Sequence, residues 1–165
     1  MQQFFSDGTV SLQTRSARYG KLSQGCFVRV YSALVKRCKK HFHSFPFGIT
    51  VILGNNGYIW ISVTSEEEHQ ANKEKVPFMP RAAVEAQREI TFKDRENMVR
   101  VRNCILALQQ EFLPIYPETI MDVYESSLQI APKNILLQDV VKLITTSAAE
   151  RIKKIAEEQI LAAKN

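Results

Sequence analysis

The densest chemistry in this chain lies in "LVKRCKKHFHSF", Leu34 to Phe45, which gathers two histidines, a cysteine and four cations. Cys38, His41 and His43, with Cys26 upstream, combine thiolate and imidazole, the ligand types that hold zinc. Their spacing matches no common finger, and His41 and His43 point to opposite faces if the segment is extended. Lys40 beside His41 can be drawn as an acid–base pair for cutting RNA, but the pair has no identifiable second catalytic partner. What remains is electrostatic. Lys36, Arg37, Lys39, Lys40, His41 and His43 can contact phosphates, as can Arg15, Arg18 and Lys21 earlier in the chain, with Phe42 and Phe45 either buried or stacked on bases.

The charge around that segment is one-sided. No Asp or Glu occurs between Gly8 and Ser65, a stretch holding eight basic residues: Arg15, Arg18, Lys21, Arg29, Lys36, Arg37, Lys39 and Lys40. From Glu66 onward 14 Lys and Arg stand against 16 Asp and Glu, so the net charge of +5 originates in the first part of the chain. Ordinary surfaces mix both signs. A long run of one sign points to a polyanionic partner, with RNA or DNA foremost, and the bland alternative is a solvated basic face. An acidic membrane fits less well, because the run lacks an amphipathic helix with a clean apolar face.

Composition narrows the classes further. The 165 residues suffice for one ordinary domain or two small ones, and the 45% hydrophobic content can supply a core. No apolar run approaches the roughly eighteen residues of a membrane span. The opening "MQQFFSDGTV" lacks the profile of a secretory signal, and three irregularly spaced cysteines suit free thiols in a reducing compartment. The expectation is a soluble intracellular protein. No carboxylate cluster accompanies the basic charge, which excludes a metal-dependent nuclease centre in that half. Glu66–Glu68 fall in an expected loop, where three like charges keep the chain in water more often than they bind magnesium. Walker, Rossmann and nucleophile-elbow motifs are absent from the sequence. No cofactor and no metal is expected.

The elements that must position the basic segment can be read on either side of it. "FFSDGTVSLQTRSARYGKL" gives a strand end, a turn at Ser6-Asp7-Gly8, and an alternating strand with Val10 and Leu12 on one side. Two strands alone are marginal, so this piece needs more sheet. "CFVRVY" after Gly25 is a strand, and "SALVKRCKKHFHSF" after it is expected to form one or two helical turns before Pro46. In "ITVILGNNGYIWISV" the β-branched and aromatic flanks favour strands, and Asn-Gly between them signals a hairpin with a type I′ turn. A G-x-x-G can also clamp an RNA backbone, but that clamp joins two helices. Gly54–Gly57 therefore reads first as a turn. "SEEEHQANKEKVPFMP" is a linker or surface loop.

Three helices follow. Thr91 and Asp94 have capping-box spacing ahead of Met98, Val101, Ile105, Leu108 and Phe112, which recur at helical intervals. Pro117 can open a second helix carrying Ile120, Val123, Tyr124 and Leu128. A third, from about Asn134 or Asp139, sets Leu137, Val141, Ile144, Ala148, Ile152 and Ile155 on one stripe.

Taken in order, "FSDGTVSLQTRSARYGKLSQG", "LVKRCKKHFHSFPFG" and "VILGNNGYIWI" resemble one family. It comprises the RNA exosome cap subunits that join an OB-type RNA-binding barrel to a KH domain, of the ribosomal-RNA-processing kind. The resemblance is close over roughly the first 65 residues and looser through "DRENMVRVRNCILAL" to the helices. It implies an α+β chain: residues 1–22 as the closing strands of an incomplete OB barrel, then a KH-like domain over 23–165 with a β-hairpin, a 65–80 loop and C-terminal helices. Because the family places a complete barrel before "YGKL", the chain resembles a C-terminal fragment, a truncated isoform or an incomplete gene model.

By the same resemblance, Gly54, Asn56, Gly57 and Trp60 are hairpin scaffold. A KH clamp would fall near Leu34–Phe45, which has no G-x-x-G, so basic residues alone are left to meet phosphates there. The implied function is a non-catalytic cap that binds single-stranded RNA and exosome ring subunits, supporting 3′-end processing and degradation, ribosomal RNA included. The implied location is nucleus and nucleolus, also cytoplasm, with no membrane and no small-molecule substrate as partner. Two other classes stay open from the residues: a stand-alone ribonuclease using His41 and Lys40, and a protein-docking module with a basic face.

Overall fold

The computed structural model describes residues 3–4, 6, 8–11, 22, 24–64 and 89–162. The chain divides into two compact units, one of Met1–Gln24 with Ser65–Glu89 and one of Gly25–Thr64 with Ile90–Asn165. In the first, β1 (Gln3–Phe4) and β2 (Val10–Ser11) pair antiparallel around the turn expected at Ser6-Asp7-Gly8. Leu12, Arg15, Arg18, Lys21 and the whole of the expected 65–80 loop lie outside the described residues.

The second unit is a four-stranded antiparallel sheet with three helices, an α+β architecture. β3 (Gly25–Arg29), β4 (Phe42–Phe45), β5 (Ile49–Leu53) and β6 (Tyr58–Val63) lie in the order β3-β6-β5-β4. Alternation along each strand decides the faces. The register aligns Cys26, Ile61, Val51 and His43 in one row, and Val28, Ile59 and Leu53 in another. Val28, Ile59, Ile61, Val51 and Leu53 are buried and join Met98, Val101, Cys104, Ile105 and Leu108 in one core. Those last five belong to α1 (Phe92–Gln110), which packs across β3, β5 and β6. The alternate row on the other face runs Phe27, Trp60, Ile52 and Phe42.

α1 begins where its cap residues require. The Thr91 hydroxyl accepts the Asp94 N–H at 3.2 Å, and the Asp94 carboxylate accepts the Thr91 N–H at 3.1 Å. This reciprocal box satisfies two donors that a helix start otherwise leaves unpaired. Thr91→Ala should lower stability by about 1 kcal/mol. Urea unfolding followed by circular dichroism measures it, and an unchanged midpoint would remove the cap from the account.

α2 (Pro117–Ser126) starts on the proline, whose missing N–H costs nothing at a first helical position. α3 (Gln138–Ala162) packs on α2 through Val141, Ile144 and Ala148, all buried. Three residues expected on apolar stripes are displaced from them. Leu128 follows the end of α2, Leu137 precedes α3, and Phe112 lies two positions beyond α1, and all three are exposed. In each case the apolar periodicity runs past the helix boundary.

The basic segment also differs from expectation. Only Ser32–Leu34 forms a helical turn, of the 3-10 type, and Phe42–Phe45 is a strand. Pairing with β5 supplies backbone partners that a short helix there would have lacked, and it buries Phe45. The Phe45 ring stacks on Phe47, which stacks on Tyr124 with centroids 3.8 Å apart. Of the two fates open to Phe45, burial is the observed one.

Candidate nucleic-acid interface

Lys36, Arg37, Lys39 and Lys40 all lie on the loop that leads from the 3-10 turn into β4, with Lys36, Arg37, Lys39 and Lys40 open to solvent. Backbone bonds fix the start of this loop. The Ile115 N–H donates to the Leu34 carbonyl at 2.7 Å, and the Lys36 N–H donates to the Ile115 carbonyl at 3.1 Å. The α1–α2 connection thus holds the loop like a short parallel bridge. The Lys36 ammonium lies 4.7 Å from the Tyr116 ring centroid, a cation–π contact that keeps the charge over that connection. Four cations on an anchored loop form an array of point charges, and a lysine charge can meet a phosphate without a fixed geometry.

The two histidines are held differently. His41 extends the β4–β5 pairing: its carbonyl accepts the Leu53 N–H at 2.9 Å, and its Nδ1 lies 3.0 Å from the Leu53 carbonyl oxygen. An Nδ1–H donating there leaves Nε2 as the ring's other polar atom. His43 stands in the core-facing row beside Val51, and burial lowers its pKa against a hydrogen bond with the Lys40 backbone. Its Nε2 is enclosed without a partner among the described residues. A neutral, half-buried ring adds no charge to the phosphate array at pH 7. Cys104 is likewise inert, its thiol pushed up to about 11 by burial. Among the described residues no three metal-ligating side chains come together.

The hairpin residues act as a brace. The Gly57 N–H donates to the Gly54 carbonyl at 3.0 Å and the Gly54 N–H to the Tyr58 carbonyl at 2.9 Å, closing a three-residue loop. Gly57 has φ +82°, whereas Asn55 and Asn56 have none of the positive φ that a type I′ turn needs at both centres. This corrects the expected turn: a tight turn followed by one left-handed glycine bulge joins the strands. The Asn56 side-chain oxygen accepts the Tyr58 N–H at 3.1 Å. The Gly57 carbonyl accepts the Val30 N–H at 2.8 Å, which seats the tip against the start of the Tyr31–Leu34 segment. Trp60 lies close over Gly25, where a Cβ would fall 2.5 Å from the indole.

Several features escape a linear reading of the sequence. Phe27, Tyr31, Tyr58 and Phe112 are 54%, 60%, 48% and 72% exposed. The Phe27 and Tyr58 rings meet edge to face at 5.4 Å, and the Arg29 guanidinium lies 5.9 Å from the Tyr58 centroid. Strand alternation carries a signal for Phe27 and Tyr58, but nothing in the sequence pairs Tyr31 with Phe112.

Comparison with known proteins agrees with this geometry. A KH-domain model matches residues 25–67, the sheet of the second unit. The protein named exosome complex component RRP4 in Bos taurus is 40% identical over 92% of this chain and 49% of its own length. That of Schizosaccharomyces pombe is 40% identical over 78% of this chain and 40% of its own. The Saccharomyces cerevisiae protein reaches 53% over a shorter stretch, 40% of this chain and 18% of its own length. The chain spans about half the length, or less, of the curated relatives it matches. By sequence, this α+β chain with its KH domain is therefore a relative of the exosome components named RRP4.

Proposed function

We propose that this chain is a non-catalytic, RNA-binding subunit of an RNA exosome. It would contact single-stranded RNA and ring subunits during 3′-end processing and degradation, ribosomal RNA maturation included. The observation that carries the reading is the anchored loop of four exposed cations, set in a stretch without one carboxylate, in a KH-domain chain related to exosome components. Two extensions rest on the family resemblance alone: residues 1–22 as closing strands of an OB barrel, and a nuclear, nucleolar and cytoplasmic location. The ribonuclease reading stays the alternative: the Leu53 carbonyl fixes the His41 ring through Nδ1 and leaves Nε2 as its other polar atom. Labelled single-stranded RNA should remain intact on incubation with the pure protein. Cleavage that disappears in His41→Ala would replace this reading with the enzymatic one.

Neutralising Lys36, Arg37, Lys39 and Lys40 together to Ala should weaken RNA binding with little dependence on sequence. The slope of log affinity against log salt should become shallower by roughly 0.7 for each phosphate that is no longer neutralised. An unchanged slope in the quadruple variant would make this loop a solvated or protein-docking face instead.

A further inference from the structure

The hairpin tip and the Val30–Ser32 segment enclose an open groove of about 520 Å³, lined by Arg29, Tyr31, Ser32, Asn56, Tyr58 and Gln109 along with Val30. Tyr31 comes from one segment and Tyr58 from the other, and no carboxylate is among its described lining residues. Tyr31 continues outward into Phe112, the two rings nearly parallel at 9° with centroids 6.3 Å apart. Gln109 contributes an enclosed side-chain oxygen that has no hydrogen-bond partner among the described residues.

Phe112 occupies a position that stability would give to glycine. α1 ends in a Schellman arrangement: the Phe112 N–H donates to the Gln109 carbonyl at 3.1 Å and the Leu113 N–H to the Leu108 carbonyl at 2.9 Å. The residue between them must be left-handed, and Phe112 has φ +53°. A Cβ is penalised there, and the ring recovers little of that cost by burial, since most of it faces solvent. Neither backbone preference nor the core accounts for an aromatic side chain at this place.

We propose that this groove binds the bases of single-stranded RNA by stacking on Tyr31, Tyr58 and Phe112. The inference rests on the RNA-binding reading above and adds to its phosphate loop a separate site for bases. Every base has a π-face, and exposed rings interleaved with an arginine match that ligand. The unpartnered Gln109 oxygen supplies an acceptor for a base amino group once the side chain turns outward. The hairpin thereby acquires a role in binding without touching phosphate, because it positions Tyr58 and Asn56 across from Tyr31.

The test uses the full chain and fluorescence anisotropy with two probes: an oligouridylate of roughly ten nucleotides, within single-strand site sizes, and an abasic oligomer of equal length. Tyr31→Ala and Phe112→Gly should each weaken oligouridylate binding about fivefold or more, with the salt slope unchanged and abasic binding unaffected. Tyr31→Phe should bind like the parent. Phe112→Gly should melt at the same temperature as the parent or higher, which separates a binding defect from a folding defect. Parent-like oligouridylate affinity in the Tyr31→Ala, Phe112→Gly double variant overturns the stacking site alone and leaves the phosphate loop standing. Equal weakening on the abasic probe overturns it too, as does unchanged RNA affinity with disappearance of a co-purifying protein. Absence of any RNA binding by the parent chain would defeat the RNA reading itself, and this inference with it.

Discussion

Gly57→Val is expected to lower the melting temperature sharply. Two penalties add. Gly57 has φ +82°, a left-handed backbone that costs a residue with a Cβ about 1–2 kcal/mol, and a β-branched one more. A Cβ at this position would also lie 2.2 Å from the Val30 carbonyl oxygen and 3.0 Å from the Ser32 nitrogen, both backbone atoms that no rotamer change can clear. Relief requires moving the hairpin tip off Val30, which breaks the 2.8 Å bond between Val30 and Gly57. Together these effects predict a destabilisation of roughly 3–5 kcal/mol, a large share of the 5–15 kcal/mol typical of a whole domain. Gly57→Ala should suffer nearly as much, because the clash begins at Cβ. Thermal unfolding by circular dichroism measures both. A Gly57→Val chain that kept its melting temperature but no longer bound RNA would restore the phosphate-clamp reading of the G-x-x-G.

What the sequence reveals about this hairpin, and what it conceals elsewhere, have one origin. Local rules suffice wherever a residue's role is set by its neighbours in the chain. Asn-Gly between β-branched runs locates the hairpin, Thr91 with Asp94 locates the start of α1, and Pro117 the start of α2. The same rules misplace features decided by distant partners. Phe42–Phe45 is extended because β5 offers it an edge, a pairing that no local propensity encodes. Phe112 continues the helical period of α1 in sequence but lies beyond a Schellman end, so its ring is exposed instead of joining the core.

The candidate site divides the same way. Charge is additive along a chain, so the exposed cations of the basic loop are legible as a group. Burial is not additive, and His43 separates from those cations only once the register sets it beside Val51. The aromatic groove needs both: Tyr31 and Phe112 are far apart in sequence and meet because Ile115 anchors the segment after Tyr31 to the segment after Phe112.

Arg100 holds a different connection, and it is a residue that reads as surface. In sequence it is one more cation of "MVRVRN", yet it is 7% exposed. Its Nη1 donates to the Ser127 carbonyl at 2.5 Å and to the Ile130 carbonyl at 2.7 Å, and Nη2 lies 3.5 Å from a Glu96 oxygen. Ser127 caps the C-terminal end of α2, where carbonyls lack partners within the helix and a positive charge is favoured. One turn on, the Asn103 amide donates to the Pro132 carbonyl at 2.9 Å, so side chains of α1 hold the α2–α3 connection at both points.

Arg100→Met would keep the apolar stem but take the donor from the Ile130 carbonyl, while the Ser127 carbonyl would still accept the Ile130 N–H at 3.0 Å. The expected destabilisation is therefore roughly 1–3 kcal/mol, the cost of one unpaired buried acceptor. Arg100→Lys should recover only part of it, since an ammonium on a shorter stem cannot span both carbonyls as the guanidinium fork does. Urea unfolding of the three proteins should order them Arg, Lys, Met in midpoint. RNA affinity measured well below each transition should be equal among them, because Arg100 faces the connection and not the basic loop. A Met variant as stable as the parent would mean that solvent already serves that carbonyl. A stable variant with weakened RNA binding would mean that α1 transmits the state of this connection to the Ile115 anchor, and through it to Lys36.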